Sequence, residues 1–211
     1  MDLASASVFL DFDGTMTLVD TGVHLLERLA GDSSWLAIDE LYAAGAIGSR
    51  ECLEREWALL PRDEDALRVA AREVDLDPTA ERLIAELRER GAEVTVVSDG
   101  FGFYAEEVCD RLAVPVLTNA VDWSTGTLEF PNLDRCCPCS SCGTCKQAPI
   151  KDARRRGRTT VFVGDGTSDR KAALLADVLF AKGRLAEWSE FSGVEHVPFD
   201  TLADVYDTLC R

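Results

Sequence analysis

This sequence predicts an α/β fold with a doubly wound, mostly parallel sheet and helices on both faces. Three observations carry that expectation. Short runs of Val, Phe, Leu and Thr at 8–10, 93–97 and 159–163 alternate with amphipathic stretches of helical period. Each run stops on a compact polar cluster: Asp11-Phe12-Asp13-Gly14-Thr15, then Ser98-Asp99-Gly100, then Gly164-Asp165-Gly166-Thr167-Ser168-Asp169. And residues 17–76 carry no strand signal, so a helical bundle interrupts the alternation directly after the first strand. A parallel sheet collects strand ends of this kind on one edge, where ligands bind in open α/β sheets.

Taken in order, residues 8–10 form the first strand, and two aspartates one residue apart close it. Like charges that near one another call for a cation, a substrate or water. A helix is expected over 21–30, with Val23, Leu26, Leu29 and Ala30 on its apolar side. Gly31-Asp32-Ser33 then introduces a helix over 34–44, and Ser49-Arg50-Glu51 opens another that Pro61 stops. A fourth helix covers 63–74. The expected division is a core of residues 1–16 and 77–211 with 17–76 as an α-helical cap over the strand ends, a plausible lid.

Pro78-Thr79 restarts a helix over 80–90, and the strand over 93–97 ends on Ser98-Asp99-Gly100. After a helix over 102–112, residues 114–121 read as strand and Ser124-Thr125-Gly126-Thr127 as a hairpin turn. A small Cys-rich loop precedes a helix over 147–156. The strand over 159–163 delivers the third polar cluster. Helix 170–176, strand 178–181, helix 185–191, strand 194–197 and helix 201–209 close the chain.

Length and composition fit one substantial domain: 211 residues, 46% hydrophobic and 28% charged. A formal charge of −16 argues against nucleic acid as a partner, because that affinity rests on Lys and Arg at phosphates. There is no run of eighteen apolar residues and no basic-then-apolar leader, so the expectation is a cytoplasmic protein without a membrane partner. Nothing in the sequence sets an oligomeric state.

Asp11, Asp13, Asp165 and Asp169, with Ser98, suit Mg²⁺, which takes one or two protein carboxylates and keeps waters for a phosphate. Gly14, Gly100 and Gly166 would let backbone N–H groups approach anionic oxygens. Only four lysines occur, and Lys146 or Lys151 would supply the point charge that holds a phosphate.

Asp11-Phe12-Asp13-Gly14-Thr15, Ser98-Asp99-Gly100, a lysine and Gly164-Asp165-Gly166-Thr167-Ser168-Asp169 resemble, in order, the four motifs of the haloacid dehalogenase-like phosphatases. The resemblance implies a Rossmann-like core with a small helical cap and a small phosphorylated metabolite as substrate. It implies Asp11 as the nucleophile that forms an aspartyl-phosphate, and Asp13 as acid and then base, with its backbone carbonyl on Mg²⁺. Ser98, Asp99, Gly100 and a lysine would bind the phosphoryl group, Lys146 being preferred because it begins a helix. Asp165 would coordinate Mg²⁺, and Asp169 would hold it through water or orient the lysine.

Finer details resemble the phosphatases of methionine salvage that act on 2-hydroxy-3-keto-5-methylthiopentenyl-1-phosphate: Ser49-Arg50-Glu51, Ser98-Asp99-Gly100-Phe101-Gly102-Phe103-Tyr104, and the run ending Cys142-Gly143-Thr144-Cys145-Lys146. Phosphoserine phosphatases are the alternative. Their cap acid falls on Asp20, whereas their cap arginine falls on Glu56, which would repel a carboxylate; a phosphocholine or phosphoethanolamine substrate would tolerate it. Asp20, Arg50, Glu56 and Phe101 are therefore the candidate contacts to the leaving group. Phe103 and Tyr104 line the pocket or pack the core.

Eight cysteines are many, and five fall between 136 and 145. Cys136, Cys139, Cys142 and Cys145 supply enough thiolates for a tetrahedral Zn²⁺, with free or redox-active thiols as the other reading. Cys52, Cys109 and Cys210 fit small buried hydrophobes. His24 and His196 read as structural, Trp35 and Trp57 as holding the cap together, and Arg154-Arg155-Arg156 with Arg158 as a solvated helix end. A different function class, a non-catalytic phosphometabolite sensor, would usually lack Asp11 or Asp13, and both are present; a metal- or redox-sensing module built on the cysteine loop is a third class.

Overall fold

The computed structural model describes residues 1–133 and 141–211. Its first strand, β1 (Ala6–Leu10), is buried at every position, as an apolar run between two helical layers must be. Four helices follow: α1 (Thr21–Leu29), α2 (Trp35–Ala43), α3 (Ser49–Trp57) and α4 (Glu64–Ala71). The Asp20 and Asp63 carboxylates accept from the Val23 and Ala66 N–H groups and cap α1 and α4. Then come α5 (Ala80–Glu89), β2 (Glu93–Val97), α6 (Phe103–Arg111) and β3 (Val116–Leu117). A hairpin of β4 (Ala120–Asp122) and β5 (Thr127–Glu129) stands apart from the main sheet. The chain closes with α7 (Gln147–Arg155), β6 (Thr159–Gly164), α8 (Arg170–Ala173), β7 (Val178–Ala181), α9 (Gly183–Ser192), β8 (Val197–Pro198) and α10 (Leu202–Cys210).

The main sheet has the order β3-β2-β1-β6-β7-β8, and every neighbouring pair is parallel. The chain builds outward from β1 in one direction and from β6 in the other. The switch between them opens a crevice at the carboxyl ends of β1 and β6. Both faces are covered. Val8 and Leu10 join the cluster under α5, α6 and α10, while Phe9 turns to the opposite cluster with Ile150, Phe162 and Leu185.

The helical segment leaves and rejoins the sheet through two crossing stretches. Leu18 N–H donates to the Asp75 carbonyl at 2.9 Å and Asp77 N–H to the Met16 carbonyl at 2.8 Å, with a bridge between Thr17 and Leu76. At the far end, the Trp57 indole donates to the Gly126 carbonyl at 2.9 Å and packs on Phe101 and Trp123. Trp57 thus ties α3 to the hairpin rather than only to its fellow helices.

Several expectations need correction. The strand expected over 114–121 is two: Asn119 breaks it by turning its amide to the Gly100 carbonyl at 2.7 Å, and the chain then leaves the main sheet. Helix 170–176 shortens to Arg170–Ala173, preceded by a 3₁₀ turn, and strand 194–197 to Val197–Pro198. On α1 the buried leucines are Leu25 and Leu26. The basic run is more than a solvated helix end: Arg156 forks onto Glu93 at 2.8 Å, and Arg158 donates to Ser7 Oγ and the Ala6 carbonyl. His24 sits beside Glu73 on the surface, and His196 Nδ1 lies 3.2 Å from the Val194 carbonyl. Cys52, Cys109 and Cys210 are buried as expected. None of the described helices is long and apolar enough to cross a membrane.

Candidate active site

Asp11 is the first residue past β1, and its N–H donates to the Val163 carbonyl of β6 at 2.9 Å. That bond fixes its side chain over the crevice. The chain then turns sharply, with Thr15, Met16 and Thr17 N–H groups all directed at the Phe12 carbonyl. Gly14 makes the turn with φ +73°, and a Cβ there would lie 2.6 Å from Asp165 Oδ2. Across the crevice, Asp165 Oδ1 accepts from Thr15 Oγ at 2.7 Å. Carboxylate oxygens of Asp11, Asp165 and Asp169 come within 4.8 Å of one another.

Lys146 completes this cluster. It begins α7, as the resemblance implied, and its ammonium bridges Asp11 Oδ1 at 2.5 Å and Asp169 Oδ1 at 2.6 Å. Burial opposes its charge, but the two carboxylates outweigh burial and hold its pKa well above the usual lysine value. Lys151, half-buried further along α7, is not among the residues that line the cavity. The other Asp169 oxygen accepts from the Asp165 and Gly166 N–H groups. With both oxygens engaged, Asp169 holds the lysine in place, and Asp11 and Asp165 are the carboxylates that would hold a metal directly.

Burial raises the Asp11 pKa well above the carboxylate range, with Asp169 adding to it, and raises Asp165 to about 6. A divalent cation relieves that repulsion, and the hard oxygen donors fit Mg²⁺. Bound there, the ion would neutralise phosphoryl charge and keep Asp11 ionised.

Asp13, two residues on, faces the same cavity with different partners. Its Oδ1 accepts from Thr21 N–H at 3.2 Å, and its Oδ2 from Tyr104 Oη at 3.2 Å and Ser98 Oγ at 3.3 Å. Its side chain is thus outside the metal cluster. Burial, then the charge of Asp20, raises its pKa to about 7. An acid in that range suits proton transfer near neutrality.

The three motif glycines do not offer free N–H groups. Gly14 donates to Thr17 Oγ1, Gly100 to Ser98 Oγ and Gly166 to Asp169 Oδ2. The Asp99 carboxylate is also occupied, by Ser49 Oγ at 2.5 Å, Thr144 N–H at 2.6 Å and the Asn119 amide. Rather than presenting an anion to a phosphate, Asp99 pins the start of α3 to the loop that carries Lys146.

The helical segment roofs a cavity of about 400 Å³ above these groups. Asp20, Glu56 and Phe101 line it; Arg50 does not, because it pairs with Glu54 and stacks over Phe130. Asp39, Tyr42, Cys52 and Arg184 were not anticipated. Arg184 reaches from α9 to Asp39 on α2 at 3.4 Å across the mouth. The one hint in the sequence was α2 itself, an apolar helix interrupted by Asp39 and Glu40. Asp20 stays open to solvent in the cavity mouth, yet the surrounding protein still raises its pKa. A second cavity of about 580 Å³, beneath Val74–Pro78, shares only Tyr104 with the first and holds none of the catalytic candidates.

Of the expected zinc ligands, Cys136 and Cys139 lie outside the described residues. Cys145 is buried and its N–H donates to the Asn132 carbonyl, while Cys142 Sγ accepts from Lys171 at 3.3 Å. Among the described residues, the side chains grouped as for a metal are Asp11, Asp165 and Asp169, and zinc finds no support.

A parallel sheet thus brings buried carboxylates and a lysine to one cavity at its topological switch, the arrangement of an α/β enzyme with an acidic, metal-capable site. The chain belongs to the haloacid dehalogenase-like hydrolases, whose family profile matches residues 8–174. It is similar to proteins named 2-hydroxy-3-keto-5-methylthiopentenyl-1-phosphate phosphatase. The one from an Exiguobacterium species is 28% identical over 95% of both chains; that of Brevibacillus brevis is 29% identical over 94% of this chain and 92% of its own. A solved structure described as a phospho-aspartyl intermediate analogue of phosphoserine phosphatase superposes with a TM-score of 0.75, at 21% identity, over 97% of this chain and 98% of that one.

Proposed function

We propose that this chain is a Mg²⁺-dependent phosphomonoester hydrolase that works through an aspartyl-phosphate on Asp11. The observation that carries the reading is the pairing of two carboxylates on one cavity with opposite environments. Asp11 lies against a lysine and a metal-capable cluster, and Asp13 lies among neutral donors with its pKa near 7. Asp11 attacks phosphorus as the ester P–O bond breaks, and Asp13 gives its proton to the leaving oxygen. Water then loses a proton to Asp13 and attacks phosphorus, and the Asp11–phosphorus bond breaks to release phosphate. Lys146 and Ser98 hold phosphoryl oxygens where charge develops. Residues 17–76 act as the lid, a reading supported by the crossing at Thr17 and Leu76 and by the Ser49–Asp99 latch.

The test is hydrolysis of p-nitrophenyl phosphate with and without Mg²⁺. Turnover is expected only with the metal, and its absence in both conditions would sink the reading. The enol-phosphate named for the curated relatives is the first substrate to try. The cavity lining favours a second reading, an amine-bearing phosphoester, because Asp20, Asp39 and Glu56 line the cavity while its cations Lys146 and Arg184 are already paired with carboxylates. A carboxylate-bearing ester such as phosphoserine is disfavoured there.

Burial raises Glu56 to about 7; the thiol of Cys52 beside it lowers its pKa, and Asp20 and Asp39 raise it further. Below that pH Glu56 is neutral, and above it the charge attracts a cation. KM for a phosphorylated primary amine should therefore fall as pH rises through about 7. Glu56→Gln should remove that step and raise KM about tenfold above it. Identical profiles for the two proteins would exclude the amine reading.

A further inference from the structure

We propose that Tyr104 is the positioning residue that holds Asp13 in register for both proton transfers, by occupying Oδ2 and leaving Oδ1 to carry the proton. The proposal rests on the phosphoester-hydrolase reading of the same site.

A carboxylate oxygen has two lone pairs. Oδ2 of Asp13 accepts from both Tyr104 Oη at 3.2 Å and Ser98 Oγ at 3.3 Å, so it is saturated. Oδ1 accepts from Thr21 N–H at 3.2 Å, and the Thr21 hydroxyl beside the carboxyl can turn to accept once Oδ1 carries the transferred proton. The two donors on Oδ2 differ in permanence. The single proton of Ser98 is needed by a phosphoryl oxygen once substrate binds. Tyr104 has no such competing duty: its oxygen accepts from Phe101 N–H at 3.3 Å, which aims its own proton at Asp13.

The ring is fixed on both sides, with Phe12 at 5.8 Å and Phe103 at 5.1 Å between ring centres, and Tyr104 is buried. Two glycines make this approach feasible. Gly102 precedes α6 at φ +91°, where a Cβ would lie 1.7 Å from the Asn119 carbonyl oxygen; that turn brings Tyr104 back over the second motif. At Gly100 a Cβ would lie 2.3 Å from the Tyr104 hydroxyl and 2.6 Å from Asp13 Oδ2. Any side chain there would sit in the space of the hydrogen bond itself.

Tyr104→Phe keeps the ring and removes the donor. The test compares an alkyl phosphate, whose poor leaving group needs the acid, with p-nitrophenyl phosphate, whose good one does not. For the alkyl ester, kcat/KM is expected to fall about tenfold or more, while for the aryl ester it stays within about threefold. On the aryl ester kcat and KM should fall together, because slower activation of water lets the phosphoenzyme accumulate. Burst amplitude after acid quench counts folded sites, so a partly unfolded preparation does not blur the comparison. Equal losses of kcat/KM on both esters, or no loss on either, overturn the proposal. A wild-type protein that hydrolyses neither ester overturns the phosphatase reading instead.

Discussion

Asp11→Asn is expected to abolish turnover while leaving the protein at least as stable as before. The amide keeps the shape of the carboxylate but cannot attack phosphorus, and removal of a covalent nucleophile costs on the order of 10⁴-fold or more in kcat. Stability should move the other way. In the metal-free protein, burial and Asp169 already hold the Asp11 pKa well above its ordinary value, so the folded state bears that charge at a cost. Asn removes the cost, and Lys146 keeps its contact with Asp169. Trapping with radiolabelled ester followed by acid quench should label the wild type and not the variant. A variant that turns over at the wild-type rate would exclude Asp11 as the nucleophile.

Lys146→Met is expected to cost both activity and fold. Lys146 is 4% exposed, and its ammonium compensates the carboxylates of Asp11 and Asp169, residues that are 4% and 0% exposed. Leaving such charges unpaired typically costs about 3–5 kcal/mol, and a chain of this size loses roughly 2–4 °C in Tm per kcal/mol. A fall in Tm of roughly 10 °C at pH 8 follows. The sign of its pH dependence is fixed by Asp11, whose raised pKa means the folded state binds a proton the unfolded state has released. Lowering the pH supplies that proton in place of the lysine, so the deficit shrinks toward pH 5. The phosphate contact is lost at every pH, so activity does not return. Thermal melts at both pH values with an activity assay check this; an unchanged Tm at pH 8 would show that the lysine is not compensating buried charge.

Much of the site was legible because strands with a parallel reading must end on one edge. Asp11, Ser98 and Asp165 each directly follow a strand and Asp13 lies two residues on, and local pattern alone places them there. Lys146 was legible as a helix start in a chain poor in lysine. Asp99, Arg50 and the motif glycines show where such reading stops. Whether a side chain faces a cavity or a neighbouring loop depends on partners distant in the chain, such as Ser49 and Thr144 for Asp99. No spacing rule announces them.

By itself, the sequence determined the sheet, the inserted helices, the catalytic candidates and the family, since periodicity and motif order are properties of neighbouring residues. The tertiary structure alone decided which oxygens are already satisfied. It made Asp169 the partner of Lys146, drew Asp39 and Arg184 together across the cavity mouth, and set Tyr104 against Asp13. Those outcomes depend on distances of about 3 Å between segments far apart in the chain, the range over which a hydrogen bond forms or fails.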